Sequence, residues 1–327
     1  MPLRHLPIAL GLLAAAVAGC GGGDDNGGSS TPSPAASTAA QPEDFPKGSG
    51  LSFDDVQSRY PAQLSLGIGA SVMRQGDNRV PFVVLDKGAR PITNAAVALY
   101  TVKTDGSEVR GPFVARETQF DVADKFLSST STSDTTLAKS FYAADVDFKG
   151  KPPLGVFALV RMDGRLVAAS PSPLGVRGAN AGSPPDVGDQ AISVHTDTVK
   201  DVKDVKALTT REPPNTDMLQ DDLADVLGTK PVVLVFATPA LCQSRVCGPV
   251  VDVAEQVRAE IGDKAAFIHQ EIYRDNKVNK GLRPQLVKWR LASEPWTFVI
   301  GADGRISQRF EGAVSVPELK AAVEKVL

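Results

Sequence analysis

The stretch from Pro231 to Val257, PVVLVFATPALCQSRVCGPVVDVAEQV, constrains the chain more than any other. It opens on an apolar run, Val232-Val233-Leu234-Val235-Phe236, rich in β-branched residues and short enough to be a buried strand. The run turns through Thr238 and Pro239 and presents Cys242, then Cys247 with four residues between them. Val250, Ala254, Val257 and Ile261 then recur at steps of four, three and four, which is a helical stripe. Pro249 suits a first helical turn, where its missing N–H is not needed. A strand therefore feeds a loop that holds two cysteines, and the second cysteine stands where a helix begins. The partial positive charge and free N–H groups of a helix N-terminus favour thiolate over thiol. Cys247 is thus expected to be the more acidic and attacking sulfur, and Cys242 the resolving one.

Val246-Cys247-Gly248-Pro249 resembles the start of the Trp-Cys-Gly-Pro-Cys signature of the thioredoxin superfamily, placed as it is after a buried strand. The sequence departs from that pattern in four ways. Val250 replaces the second motif cysteine, the loop from strand to cysteine is several residues longer, the spacing is Cys-x4-Cys, and the strand carries no acid. Downstream the likeness continues. Ala265 to Tyr273 reads as a strand, with Phe267, His269, Glu271 and Tyr273 on one face by alternation. Leu282, Leu286 and Trp289 mark a helix, Trp296 to Ile300 a strand, Ile306 to Phe310 another, and Pro317 to Leu327 a closing helix. The order is β-α-β-α-β-β-α. Pro295 occupies the place of the cis-proline that opens the third core strand of thioredoxins and faces their cysteines, with Glu294 before it and Gly312-Ala313 after the fourth strand. The resemblance implies a cis Glu294–Pro295 bond and a site made of Cys242, Cys247, Pro295 and Glu294. A carboxylate beside two cysteines acts as a base or raises a neighbouring thiol pKa by like-charge repulsion. Asp217 to Gly228 reads as one further helix with a capping box, and His195 as an incidental residue of a short alternating run.

The N-terminus is of another kind. Arg4 precedes an apolar run from Ile8 to Ala18, too short for a bilayer and shaped like a signal peptide. Val17-Ala18-Gly19-Cys20 resembles the bacterial lipobox, which implies cleavage before Cys20, lipid on its sulfur and an extracytoplasmic, membrane-anchored lipoprotein of the cell envelope. Residues 1–19 are then signal peptide, and residues 20–50, rich in Gly, Ser, Thr, Pro, Ala and Asp, a flexible tether beginning at lipidated Cys20. That leaves Cys242 and Cys247 as the remaining thiols of a three-cysteine chain in an oxidising compartment.

From 51 to 177 the pattern is short strands: Gln63–Ile68, Val80–Leu85, Ala95–Val102, Phe141–Phe148 and Val156–Met162, parted by turns such as Asp86-Lys87-Gly88 and Asp163-Gly164. No helix stands out. The pattern reads as an all-β antiparallel sandwich, loosely resembling bacterial immunoglobulin-like modules, with a spacer or docking role. It has no Cys or His, so a site of the usual soft metal ligands is not expected there. Residues 178–189, rich in Gly, Ser and Pro, read as a linker to an α/β thioredoxin-like domain over 190–327. With 35 Lys and Arg against 38 Asp and Glu the net charge is −3, which gives no basis for a nucleic-acid partner. No motif calls for a cofactor or a metal.

Four readings of the cysteines follow. The pair cycles in thiol–disulfide exchange with an exported protein, or it is a fixed disulfide in a redox-inert binding or structural lipoprotein. Ser244-Arg245-Val246-Cys247 resembles the Thr-x-x-Cys of peroxiredoxins, though Pro239 lies eight positions before the cysteine where seven is the pattern. A copper-assembly role would need His269, the one histidine after the pair.

Overall fold

A computed structural model describes residues 40–134, 137, 139–149, 154–174, 182–242 and 245–327. The signal peptide, Cys20, the tether to residue 39 and the start of the linker at 178–181 lie outside them. Among the described residues no helix is long and apolar enough to cross a membrane.

Eight strands fill the first half: β1 (Ala62–Ile68), β2 (Gly76–Leu85), β3 (Ala96–Lys103), β4 (Arg110–Val114), β5 (Arg116–Gln119), β6 (Ser140–Phe148), β7 (Leu154–Met162) and β8 (Arg165–Leu174). They form one hydrogen-bonded sheet in the order β4-β3-β7-β8-β1-β2-β6-β5, curled in barrel-like fashion. β1 is shared by its two wings. Ala62 and Leu64 run parallel to β8, while Ser65 to Ile68 run antiparallel to β2. Residues on the inner faces of both wings, among them Phe82, Val84, Leu99, Tyr142, Val146 and Val160, make one core. The outer face of β3 and β7 has a core of its own, with Ala98, Tyr100, Phe157 and Leu159 under α1 (Phe53–Arg59). Sequence reading passed over α1, although Ser52 and Asp55 form a capping box at its start.

The second half holds β9 (Val232–Phe236), α4 (Cys247–Ile261), β10 (Ala266–Gln270), α5 (Pro284–Trp289), β11 (Trp296–Ile300), β12 (Ile306–Glu311) and α6 (Val316–Glu324). Its sheet has the order β10-β9-β11-β12, with β9 and β10 parallel and the other pairs antiparallel. This is the β-α-β-α-β-β-α order and strand direction of a thioredoxin-like core. Alternation divides β9 between two cores. Val233 and Val235 pack with α4 and α6, and Val232, Leu234 and Phe236 pack with Trp289 of α5.

Two expectations need correction. The helix read over 217–227 is broken: a 3-10 turn at Thr216–Leu219 gives way to a single turn, α3 (Leu223–Val226), because Asp222 caps a new start by accepting the Ala224 N–H. The strand read to Tyr273 ends at Gln270.

The two sheets share a core. Phe120, Phe141 and Ala143 lie in one buried cluster with Cys247, Val250, Val251 and Val314, and Val83 packs against it. The neighbours Phe82 and Tyr142 face the barrel interior instead. Strands β2 and β6 are therefore apolar on both faces, and each buried side chain of that size contributes roughly 1.5–3 kcal/mol. Polar ties add to the apolar contact. Glu311, at the end of β12, accepts from the Ser71 N–H (2.8 Å), the Ser71 hydroxyl (2.6 Å) and the Val72 N–H (2.9 Å). Of the stretch read as linker, Ser183 is buried, Asp186 pairs with Arg74 and Arg309, and the Gly188 N–H donates to Ile306 O at 2.8 Å.

Candidate functional site at the start of helix α4

The two cysteines are joined as a disulfide with 6.0 Å between their Cα atoms. Strand β9 delivers the chain to this place. After Phe236 the Ala237 N–H donates to Gln270 O, and the Ala240 N–H to the Thr210 hydroxyl at 3.1 Å. Thr210 is itself anchored, through both N–H and hydroxyl at 2.6 Å, on the buried carboxylate of Glu271. Cys247 is the first residue of α4 and has 0% exposure, whereas Cys242 is half-buried against the same core.

Helix α4 is held from outside its own half. Its residues 247–254 are all buried, so its first two turns have no solvent face, as expected of a helix apolar all round. Asp252, the polar residue within that run, accepts from Arg211 Nε at 2.9 Å, from the Ser128 N–H at 3.0 Å and from the Ser131 hydroxyl at 2.5 Å. Ser128 caps the short helix α2 (Ser129–Ser133), so this strap from the first half is fixed over the helix start. Arg211 also donates to Pro213 O and Phe126 O. Arg245, in the loop between the cysteines, pairs with Asp134 at the end of the strap at 3.6 Å.

The Glu294–Pro295 bond is cis. Pro295 is buried and its carbonyl accepts the Gly312 N–H at 2.9 Å. Glu294 is half-buried, and burial pushes its carboxyl above the ordinary value. Ser293 donates to Glu311 at 2.6 Å and accepts the Trp296 Nε1–H at 3.0 Å. Glu294, Ser293, Arg245 and Val246 line one cleft of about 500 Å³, whose opposite wall is Ile68, Phe82, Val83 and Leu85 of β1 and β2. The geometry thus brings Glu294 together with Arg245 and Val246 of the loop between the cysteines in a single cleft with a wall from the first half; Pro295 and the two cysteines are not among the described residues that line it.

His269 is buried, with Nε2 at 3.0 Å from Ala237 O and Nδ1 at 3.4 Å from the Thr209 hydroxyl. Burial lowers its pKa, so it is a neutral imidazole donating to Ala237. Both ring nitrogens are engaged in holding the strand end. Among the described residues no group of three or more His, Cys, Asp or Glu side chains is placed to hold a metal. His195 is not on a strand. It is exposed and pairs with Asp222, with Asp197 at 3.6 Å.

Sequence reading did not find Arg211, Asp252, Ser128, Ser131 or Glu311. One signal was present: Asp252 interrupts the run Val250, Val251, Val253, Ala254, and a lone acid in an otherwise apolar helix start needs a buried partner.

No protein-family model matches the sequence, and no curated protein does. Among solved structures the chain is similar to a thiol:disulfide interchange protein of the thioredoxin family from Chlorobium tepidum TLS, at 16% identity and a TM-score of 0.31, over 45% of this chain and 99% of that one. It is also similar to a thioredoxin-like superfamily protein, at 18% identity and a TM-score of 0.26, over 33% of this chain and 85% of that one. Likeness at this level speaks to neither activity nor substrate.

Proposed function

We propose that the chain is an extracytoplasmic thiol–disulfide exchange protein, held to a membrane by lipid on Cys20, with Cys242–Cys247 as its redox pair. The supporting observation is the asymmetry of the pair: a half-buried sulfur in the loop is bonded to a fully buried one at the first residue of α4. That asymmetry exchanges the roles expected from sequence. A substrate thiolate reaches Cys242, not Cys247. Its attack forms a substrate–Cys242 bond and breaks the Cys242–Cys247 bond, and the electron pair leaves on Cys247. The helix N-terminus stabilises that thiolate, and a leaving group of low pKa leaves faster. A second thiolate of the substrate then attacks the substrate sulfur of the mixed disulfide and releases Cys242. The substrate dithiol is oxidised to a disulfide and the protein disulfide is reduced to a dithiol. The sheet of the first half serves as a docking module of immunoglobulin-like kind.

Cysteine variants test this. In Cys247→Ser the free Cys242 thiolate attacks the disulfide of the oxidised substrate, the substrate's other sulfur leaves as a thiolate, and the mixed disulfide persists because no Cys247 is present to resolve it, whereas Cys242→Ser traps none. The burial of Cys247 among Val250, Val251 and Phe141 also fits a second reading, a fixed disulfide. In that case neither variant traps a partner, and each lowers stability by about 2 kcal/mol for so short a loop.

A further inference from the structure

Resting on that exchange reading, we infer that the β1–β2 corner is the specificity wall of the site, and that the cleft selects an uncharged, apolar cysteine-bearing segment of a substrate chain over anionic thiols.

The wall does not belong to the half of the chain that carries the cysteines. Val83 and Leu85 project from the face of β2 turned away from the barrel, Ile68 and Phe82 flank them with their side chains on the barrel core, and across the cleft stand Val246 and Glu294. Its position is fixed at two points. Glu311 takes hydrogen bonds from Ser71 and Val72 of the corner and from Ser293 beside Glu294, so one carboxylate ties both sides of the cleft. Next to it, a Cβ on Gly312 would collide with the Gly69 carbonyl oxygen and would lie 3.0 Å from the Gly69 carbonyl carbon, so the two backbones are in contact there. A wall held by backbone contact and four hydrogen bonds keeps its shape when a ligand arrives.

Size and charge then choose the occupant. About 500 Å³ is the scale of a small-ligand pocket, so a short segment enters and a folded surface does not. The charged side chains lining the cleft are Glu294, Glu311 and Arg245. Arg245 is paired with Asp134, and Glu311 with its hydroxyl and N–H donors. An acidic ligand would therefore meet two carboxyls and one cation already matched by an acid, beside an apolar wall that cannot solvate its charge. A neutral apolar segment covers the wall and leaves the polar ties in place.

The test separates this inference from the exchange reading by using a ligand that cannot react. A short capped peptide of Val, Phe and Ala with a central Ser in place of Cys, and a twin with Asp on either side of the Ser, are titrated against the full chain in its oxidised form. The neutral peptide is expected to bind at least about tenfold more tightly than the acidic twin, a difference of about 1.4 kcal/mol. Val83→Asp should weaken binding of the neutral peptide by at least the same factor. Leu85→Asp, at a half-buried position on the same wall, gives a second variant should Val83→Asp fail to fold. Equal binding of the two peptides, or neutral-peptide binding unchanged in the folded wall variants, overturns the inference. Reduction of the wild-type disulfide by dithiothreitol, and trapping on Cys242, are measured separately. Their failure removes the exchange reading and leaves the binding result standing.

Discussion

Arg211 and Asp252 form an ion pair of 2.9 Å with side-chain exposures of 5% and 0%, and the pair joins three parts of the chain. Asp252 belongs to α4, Arg211 to the segment before β9, and the serines that complete the carboxylate's shell belong to the strap α2. Removing one partner would leave an uncompensated buried charge, which costs about 3–5 kcal/mol. Arg211→Met should therefore lower unfolding stability by that order in a denaturant titration. The double variant Arg211→Met with Asp252→Leu should lose much less, since it strands no charge. Additive losses in the two single variants and the double would contradict this.

Gly312→Ala should destabilise the contact between the sheets. Gly312 has φ +79°, which an L side chain adopts only with strain, and the new Cβ has no room against Gly69. The strain alone costs on the order of 1–3 kcal/mol. A thermal melt within a degree of wild type would mean that the corner moves aside freely.

Glu294 carries its own pH signature. Burial raises its carboxyl above 4.5, so the folded state disfavours the ionised form. Any stabilisation from this group is complete below the unfolded value and is lost as pH rises through the raised folded one. Glu294→Gln should thus melt higher than wild type at neutral pH and level with it in acid. If the variant melts lower at neutral pH, the carboxylate has a stabilising partner.

His195 shows the opposite chemistry at the surface. The hydrogen bond to Asp222, then its charge, raise the imidazole pKa above 6.5. Burial of Asp222 acts to raise its pKa, but the Thr196 N–H and His195 outweigh this and bring it below 3.8. The pair therefore stabilises the fold between those two ordinary values, and the His195 share fades as pH rises through the raised imidazole pKa. His195→Ala should narrow its gap from wild type between mildly acidic and alkaline buffer. A gap that widens with pH would refute the assignment.

The second sheet was legible because its strands are short, apolar and alternate with helical stripes in an order few folds share. The Val232–Phe236 run and the Trp296–Ile300 run needed no partner to be recognised. Three strands of the first sheet were not legible for local reasons: β8 carries Ser170-Pro171-Ser172-Pro173, β4 contains a cis Gly111–Pro112 bond, and β5, Arg116-Glu117-Thr118-Gln119, has no apolar residue to mark a face. The cleft was hidden for a different reason. Val83 and Leu85 read as ordinary strand residues, and no pattern in either half says that Phe141 would pack beside Cys247. Likewise the roles of the two sulfurs depend on burial, which the spacing of Cys242 and Cys247 does not encode.

The double membership of β1 places the chemistry of the cleft at the mercy of a register set far from it. The strand's pairing with β8 carries a register shift between Ala62 and Leu64, and from Ser65 it pairs with β2, where Leu66 and Ile68 face the barrel core and Gly67 lies opposite Val83 on the cleft side. Because strand faces alternate with a period of two, one inserted residue at Gln63 would rotate Ile68 and its neighbours to the opposite face. Leu66 and Ile68 would then turn from the barrel core toward the cleft that Glu294 and Val246 line, and the wall would change with no substitution at either cysteine. A frame of pairing near residue 63 is therefore as much a determinant of what enters as any side chain that touches it.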